Sequence, residues 1–413
     1  MYRKSIHACI FLMLTFAVPV FAAEEISLTR AVEISIKNNP EISAALFEEQ
    51  SALFRAKGSR APANPEILYA PTVAGKDGSD SEALIVQPLE INGSRAVKAK
   101  IASSEADSAK FESITKMQSI ILQVKNAYWE VVSAQSAVTS AQENIEYLEN
   151  VRKIIQKQFE TGVVPGSRVI KAEVEVSNAG QELMQAEMKL ANARAELCML
   201  LNLPQDSDLK LTDAQTFSIY NPDPNQLLAI ASDNRSEIKL AQSRIITAKN
   251  QLKSARLQSI PDLALQGRKT TMREEGGIAV VVSLPIIDWG SAGNERKSCE
   301  NLIKAREKEC EAAQRKVAVE VSQALKRLKT ASGIVVQFRS GTLEKAQQLN
   351  KMTQKGYEAG VLNYLELLES HRTMRLTELS YRNALTEYSK ALAQLEWAIG
   401  SPLPEKTNPE VAK

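Results

Sequence analysis

The sequence predicts a mainly α-helical protein with a small β part, built as a tandem duplication of very long helical hairpins. Three observations carry that expectation. Ala, Gln, Glu, Lys and Leu fill most of the 413 residues while aromatics make up only 5%, the composition of long helices rather than of a deep globular core. Similar segments recur about 197 residues apart, and such internal periods define the architecture before any local feature does. Between Gly93 and Gly162 the chain has neither Gly nor Pro, enough for a helix of about 100 Å at 1.5 Å per residue.

The first element is an export signal. In residues 1–22, Arg3 and Lys4 supply the positive start, Ile10 to Phe21 the apolar core, and "VFA" before Ala23 the small-residue cleavage site. The apolar run is too short to span a bilayer as a helix, and Cys9 precedes most of it, a poor place for a lipid-bearing terminus. Beyond the leader 49 basic side chains balance 49 acidic ones, so no field favours nucleic acid as a partner. No cofactor is implied. Past the leader His371 is the sole histidine and neither GxGxxG nor GxxxxGK[ST] occurs, which argues against metal-site, triad or nucleotide chemistry and against an enzyme. Cys299 and Cys310 lie about 16 Å apart along one helix, beyond the roughly 7 Å reach of a disulfide. With Cys198 they make an odd count and read as helix-packing residues.

The repeats set the domain plan. "NNPEISAA" from Asn38 matches "NRSEIKLA" from Asn234, and "NPEILY" from Asn64 matches "IPDLAL" from Ile260, both at an offset of 196. "QPLEINGS" from Gln87 matches "LPIIDWGS" from Leu284 at 197. "FETGVVPG" from Phe159 matches "YEAGVLNY" from Tyr357, and "LLNLP" matches "AIGSP", both at 198. The first repeat is expected over 23–204, a linker over 205–224, the second repeat over 225–402 and a tail over 403–413. Each repeat opens with a helical segment, Leu28 to Arg60 or Gln226 to Ser259. A β-hairpin follows, 65–91 or 261–285, with strands over Ile67 to Val73, Glu82 to Leu89, Asp262 to Arg268 and Ile278 to Leu284. The polar, Gly-bearing "AGKDGSD" and "TMREEGG" connect them.

A long helical hairpin completes each repeat, with bends near 160–166 and 356–363. Ile114, Met117, Ile121, Val124, Tyr128 and Val131 step by threes and fours, the seam of a coiled coil. Leu385, Tyr388, Leu392, Leu395 and Ile399 mark the returning leg of the second hairpin. Gly162 and Gly360 are expected as left-handed caps at the bends.

Four strands in one exported chain leave open edges. Copies of the chain close them, but two chains give an eight-stranded barrel filled by its own side chains. Three chains give twelve strands, of the length that suits an outer-membrane barrel.

"LTRAVEISIKNNPEI", "LPIIDWG" and "GYEAGVLNYLELLES" together resemble the outer membrane efflux (TolC-like) family, in the right order and over essentially the whole chain past the leader. The resemblance implies a homotrimer with a twelve-stranded β-barrel among the lipids of the cell outer membrane. It also implies an α-helical barrel extending into the periplasm. The hairpin bends would dock a periplasmic adaptor (membrane fusion) protein joined to an inner-membrane pump or exporter. No lipid-type Cys follows the leader, unlike the family's lipoprotein members, and the short loops look more like members serving metal-ion efflux pumps. The alternative, a periplasmic coiled-coil adaptor or structural protein of an envelope complex, would need only one hairpin beside a β-rich module.

The expected adaptor-docking tip comprises Gly162, Val163, Val164 and Pro165 with Gly360, Val361, Leu362 and Asn363, the valines and Leu362 standing exposed. At the 198 offset Glu366 answers to Arg168 and Glu369 to Lys171. Members of the family usually carry an acidic residue at the first of these places, so Arg168 departs from the pattern. Each pair shares a helix face at i,i+3. Arg168 and Lys171 are expected to pair with Glu366 and Glu369 across neighbouring hairpins as a gate, with a preference for cations. Other charges, such as Glu307 and Lys308, read as solvated faces.

Overall fold

The computed structural model describes residues 25–71, 81–205, 207, 209–270, 276–283 and 289–403. The leader, "AGKDGSD", most of "TMREEGG", residues 284–288 of "LPIIDWG" and the tail beyond 403 lie outside them. The first unit runs β1 (Glu25–Ile26), α1 (Leu28–Asn38), α2 (Pro40–Gly58), β2 (Glu66–Pro71), β3 (Ser81–Pro88), α3 (Ser94–Glu160) and α4 (Gly166–Leu201). After β4 (Lys210–Leu211) the plan repeats as α5 (Pro224–Asn234), α6 (Ser236–Leu257), β5 (Asp262–Thr270) and β6 (Gly276–Ser283). It ends with α7 (Ser291–Gln337), a π-helical turn (Phe338–Thr342), α8 (Leu343–Glu358) and α9 (Tyr364–Ile399).

Local chemistry starts the short helices. The Ser27 hydroxyl accepts from the Arg30 N–H, and Asn39 and Asp223 accept from the first turns of α2 and α5, each followed by a Pro at the first helical position. Side-chain acceptors satisfy orphan N–H groups there, and Pro has no N–H to leave unpaired.

The long helices are held by a heptad seam. On α4 the buried residues Ala172, Ala179, Ala186 and Ala193 recur every seventh position, opposite a face of α3 that includes Val124, Val131, Leu148 and Ile155. A repeat of seven on a 3.6-residue helix drives a left-handed supercoil, and methyl-sized knobs let the backbones approach closely. One seam position differs from expectation: Ile120 is buried and Ile121 only half-buried. At that level α3 packs against α1 as well as α4, and Ile120 joins Ile26, Ala31 and Ile34 in one cluster. The returning leg α9 buries Leu385, Tyr388, Leu395 and Ile399, with Leu392 packed against them.

The two outgoing legs are not equal. α3 is a single helix of 67 residues, whereas the second leg breaks into 47, 5 and 16 residues, one residue longer in all. The break is the π turn, in which Gly341 takes φ 130°. A π turn accommodates one extra residue within an α-helix, so the rise in repeat offset from 197 to 198 is absorbed here.

The four long strands form one antiparallel sheet in the order β2-β3-β5-β6, with β2 and β6 as edges. Register sorts the side chains onto two faces, one mostly apolar though it also holds Gln87 and Lys269, the other mixed. Ile67, Tyr69, Ile85, Leu265, Ile278, Val280 and Val282 share one face and are all exposed. Glu66, Glu82, Gln266 and Arg268 share the other with Leu68, Leu84, Val86 and Val281, and there Arg268 pairs with Glu82. No described helix is long and apolar enough to cross a membrane.

The segment between the repeats is pinned. β4 pairs with β1 in parallel, a small sheet that the sequence pattern does not announce. The Asp213 carboxylate accepts from the Leu28 N–H at 2.5 Å and lies 3.1 Å from the Tyr128 hydroxyl. Phe217 packs edge-on against Tyr388 at 4.9 Å, tying the segment to the second hairpin. Cys198, Cys299 and Cys310 are free and buried.

Replacing Ala179 or Ala186 with Leu should overpack the α3–α4 seam and cost about 1–3 kcal/mol each. Thermal unfolding of the purified protein would show it as a lowered midpoint. An unchanged midpoint would mean that the seam has room.

Candidate functional site at the hairpin tips

Both bends end their helices in the same way. Gly162 has φ 76° and Gly360 φ 72°. The Val163 N–H donates to the Gln158 carbonyl at 2.8 Å and the Gly162 N–H to Phe159 at 2.9 Å. In the second bend Val361 donates to Gly356 at 2.9 Å and Gly360 to Tyr357 at 3.0 Å. These paired bonds make the Schellman cap, whose left-handed residue favours Gly.

The tip residues then divide. Val163 and Val361 are exposed, as are Gly162, Pro165, Gly360 and Asn363. Val164 is not: it is 7% exposed and packs with Val151, Ile155, Ala172 and Tyr364. The chain turns inward there to start α4, so Val164 fastens the two hairpins together instead of facing a partner. Leu362 is half-buried and covers Gly356, where an added Cβ would come within 2.6 Å of its Cδ1.

The helices leaving the bends start differently. Pro165 precedes α4 with no side-chain cap. Asn363 precedes α9 in a full capping box: its Oδ1 accepts from Leu365 and Glu366, and Glu366 Oε2 accepts from the Asn363 N–H at 3.2 Å. The N-x-x-E spacing at 363–366 carries that signal in the sequence.

Arg168, Lys171, Glu366 and Glu369 are all exposed. Lys171, Glu366 and Glu369 line one groove between α4 and α9 together with Glu175 and Arg372, while Arg168 lies outside it. Among the described residues no ion pair within the chain joins Arg168 or Lys171 to Glu366 or Glu369, and Glu366 is engaged by the cap. The ion pairs that do cross between the hairpins lie farther from the bends. Arg375 meets Glu182 at 2.7 Å, Lys125 meets Glu396 at 2.5 Å, and Lys390 meets Glu130.

Sequence reasoning set His371 aside, yet it sits in the contact between hairpins. Its ring stacks on Tyr147 of α3 at 3.6 Å between centroids and 15° between planes. Nε2 lies 3.2 Å from the Asn144 amide oxygen, and buried Nδ1 has no partner. Burial, helped by the Arg375 charge, pushes its pKa down to about 4. Burial also raises the phenols of Tyr147 and Tyr364 to about 12.

A histidine whose pKa is lower in the packed state favours packing while it stays neutral. Its contribution is complete above the usual value of about 6.5 and is lost as pH falls from there towards 4. Acidification from pH 7 to pH 5 should therefore lower the unfolding midpoint. His371→Phe, which keeps a ring for Tyr147 and cannot titrate, should flatten that dependence. Equal slopes for the two proteins would acquit His371.

The sequence matches the outer membrane efflux protein family over residues 31–203 and again over 227–401, once per repeat. Cobalt-zinc-cadmium resistance protein CzcC of Cupriavidus metallidurans is 24% identical over 94% of this chain and 93% of its own length. Outer membrane protein TolC of Vibrio cholerae is 21% identical, covering 88% of each. The open-state MtrE outer membrane channel of Neisseria gonorrhoeae superposes with a TM-score of 0.77 at 18% identity, over 92% of this chain and 91% of that one. With both repeats matched and the same fold throughout, this chain belongs to the outer membrane efflux protein family, as the outer-membrane channel of a tripartite efflux system that extends into the periplasm.

Proposed function

We propose that three copies of the chain join their sheets into one twelve-stranded barrel and their hairpins into a periplasmic tunnel. An inner-membrane pump and a periplasmic adaptor would deliver the cargo, and the conduit itself would perform no catalysis and hold no cofactor. The observation that carries this reading is the two-faced sheet with two unpaired edges. The mostly apolar face suits lipid, and the mixed face, which holds Glu66, Glu82, Gln266 and Arg268, is the one to turn towards water. Relatives of near-equal identity bear names of metal resistance and of toxin and drug export, which fits a tunnel whose cargo is selected by the pump.

The tip supplies two further roles in this proposal. Exposed Val163 and Val361, each beside a Gly, let an adaptor hairpin approach closely. Lys171 and Arg168 pair with the acidic face of a neighbouring hairpin to hold the tip shut. Glu369 is the carboxylate available for that, because Glu366 holds the start of α9. One exposed pair is worth about 0–1 kcal/mol, so only its repetition around a ring biases a gate.

Mass measurement in mild detergent should give three chains. Replacing Gly162 and Gly360 together with Leu should abolish export while trimer and membrane location persist. Export that survives would make the bends structural only. Glu369→Lys should raise single-channel conductance in planar bilayers, and adding Lys171→Glu should lower it again. No rise in the first variant, or no reversal in the second, removes the lock. A protein that washes off the outer membrane without detergent favours the adaptor reading.

A further inference from the structure

The helix ends beside the sheet carry a charge that the chain as a whole lacks. Basic and acidic side chains balance past the leader, yet residues 50–65, 91–104 and 238–261 hold eleven Lys or Arg and no Asp or Glu. These stretches cover the end of α2, the start of α3 and almost all of α6, which pack side by side. The start of α7 mixes signs, with Glu295 and Glu300 among its cations.

The two repeats agree on where the cations stand. At the 196 offset Lys57 answers to Lys253 and Arg60 to Arg256, and each arginine precedes its strand by six residues. At 197 Lys100 answers to Lys297, each the seventh residue of its helix. All six are exposed. Among the described residues none of them has a carboxylate partner, and the ion pairs nearby use Lys98 and Arg268 instead. Helix dipoles do not account for the pattern. Cations favour the carbonyl ends of α2 and α6, but Lys100 and Lys297 belong to helices that start at the sheet, where positive charge gains nothing.

Chain geometry fixes which way the Lys–Arg pairs point. The Leu89 N–H donates to the Leu263 carbonyl at 2.8 Å, so Ile85, four residues earlier, also turns its N–H and C=O towards β5. For L-residues this sets the hand of the sheet. Seen from the face bearing Ile85, with the helices upwards, the strands run β2, β3, β5, β6 from left to right. Helices α2, α3, α6 and α7 follow in the same order. On α6 Ser243 bonds to Ser104 of α3, and at about 100° per residue Lys253 and Arg256 project roughly a quarter-turn from that side, towards the viewer. On α2 Ala56 packs with Ala106 of α3, and Lys57 and Arg60 turn to the viewer in the same way. The pairs thus share the side of the mostly apolar sheet face.

We infer that Lys57, Arg60, Lys253 and Arg256, flanked by Lys100 and Lys297, hold the anionic headgroups of phospholipids in the periplasmic leaflet of the outer membrane. The inference rests on the proposed barrel, because it continues the lipid-facing side of the strands. Six residues span at most about 20 Å, so each arginine stays close to the sheet. Long basic side chains lay their stems along hydrocarbon and lift their charge to the headgroups, and clusters of them select anionic lipid. Trp289, 91% exposed at the entrance to α7, marks the same level, since indole rings favour the membrane–water boundary.

Bound lipid tests the inference. The protein in mild detergent is given equal amounts of phosphatidylglycerol and phosphatidylcholine, and native mass spectrometry reads what the trimer retains. The parent should favour phosphatidylglycerol by about fivefold or more. Lys57→Gln, Arg60→Gln, Lys253→Gln and Arg256→Gln together should abolish that preference, and either Lys–Arg pair alone should weaken it if the fourfold variant fails to assemble. Exchanging Lys for Arg and Arg for Lys at the four positions should preserve it, as should Lys308→Gln with Arg315→Gln farther along α7. No preference in the parent, or an undiminished one in the glutamine variants, overturns the inference and leaves the barrel standing. Monomers that need no detergent overturn both. Co-sedimentation with purified cell-wall sacculi that the glutamine variant loses, without any lipid preference, would assign the cations to cell-wall carboxylates instead.

Discussion

Every surface of a duplicated chain exists twice, and the junction between its two units covers only one copy of each. This constraint governs most of what the structure displays. Sheet edges β2 and β6 are bare while β3 and β5, their mates across the repeat, pair with each other. The α3–α6 junction is filled, and the equivalent faces of α7 and α2 stand open. Apolar residues dominate one side of the four-stranded sheet, and among the described residues no layer packs on them. A water-soluble monomer would bear these features as liabilities. In the proposed ring embedded in lipid each would become a contact, which would give membership of an outer-membrane channel family and the pattern of unmatched faces one explanation.

Much of this was legible in the residues, for reasons that can be named. Gly162 and Gly360 announce left-handed caps because few other residues adopt positive φ cheaply. The two offsets of 196 and 198 that bracket each repeat locate strands and bends because insertions shift everything after them. What escaped depends on contacts between distant segments. Val164 reads as an exposed tip residue until Tyr364 of the other hairpin covers it. β1 and β4 are two residues each, too short to impose a period. His371 looks like a chance histidine on a helix because Tyr147 and Asn144 lie more than two hundred residues away in sequence. The capping box at Asn363 is a different case: its N-x-x-E spacing is local and stands in the sequence itself.

The tip combines rigid and adjustable parts. Schellman caps and the Leu362–Gly356 contact fix the two bends. Between hairpins the contact is a stacked Tyr–His pair, a few ion pairs and a small apolar cluster, less than the alanine seam that joins α3 to α4 within the first hairpin. The first hairpin is therefore better joined within itself than to its neighbour. That is the division a tunnel needs if its end is to open without unfolding its walls.

The π turn in the second outgoing leg adds an asymmetry of compliance. A helix that gains one residue would rotate everything beyond it by about 100° unless the surplus is absorbed locally. Here it is absorbed at Phe338–Thr342, so α8 regains its register against α9 at a place where the backbone is no longer a continuous α-helix. The first unit has no such break in α3. In the proposed ring of three chains, three unbroken staves would thus alternate with three interrupted at the same height. Such a ring would yield by triangular distortion before it yielded uniformly. Its quasi-six-fold wall would then behave mechanically as a three-fold one.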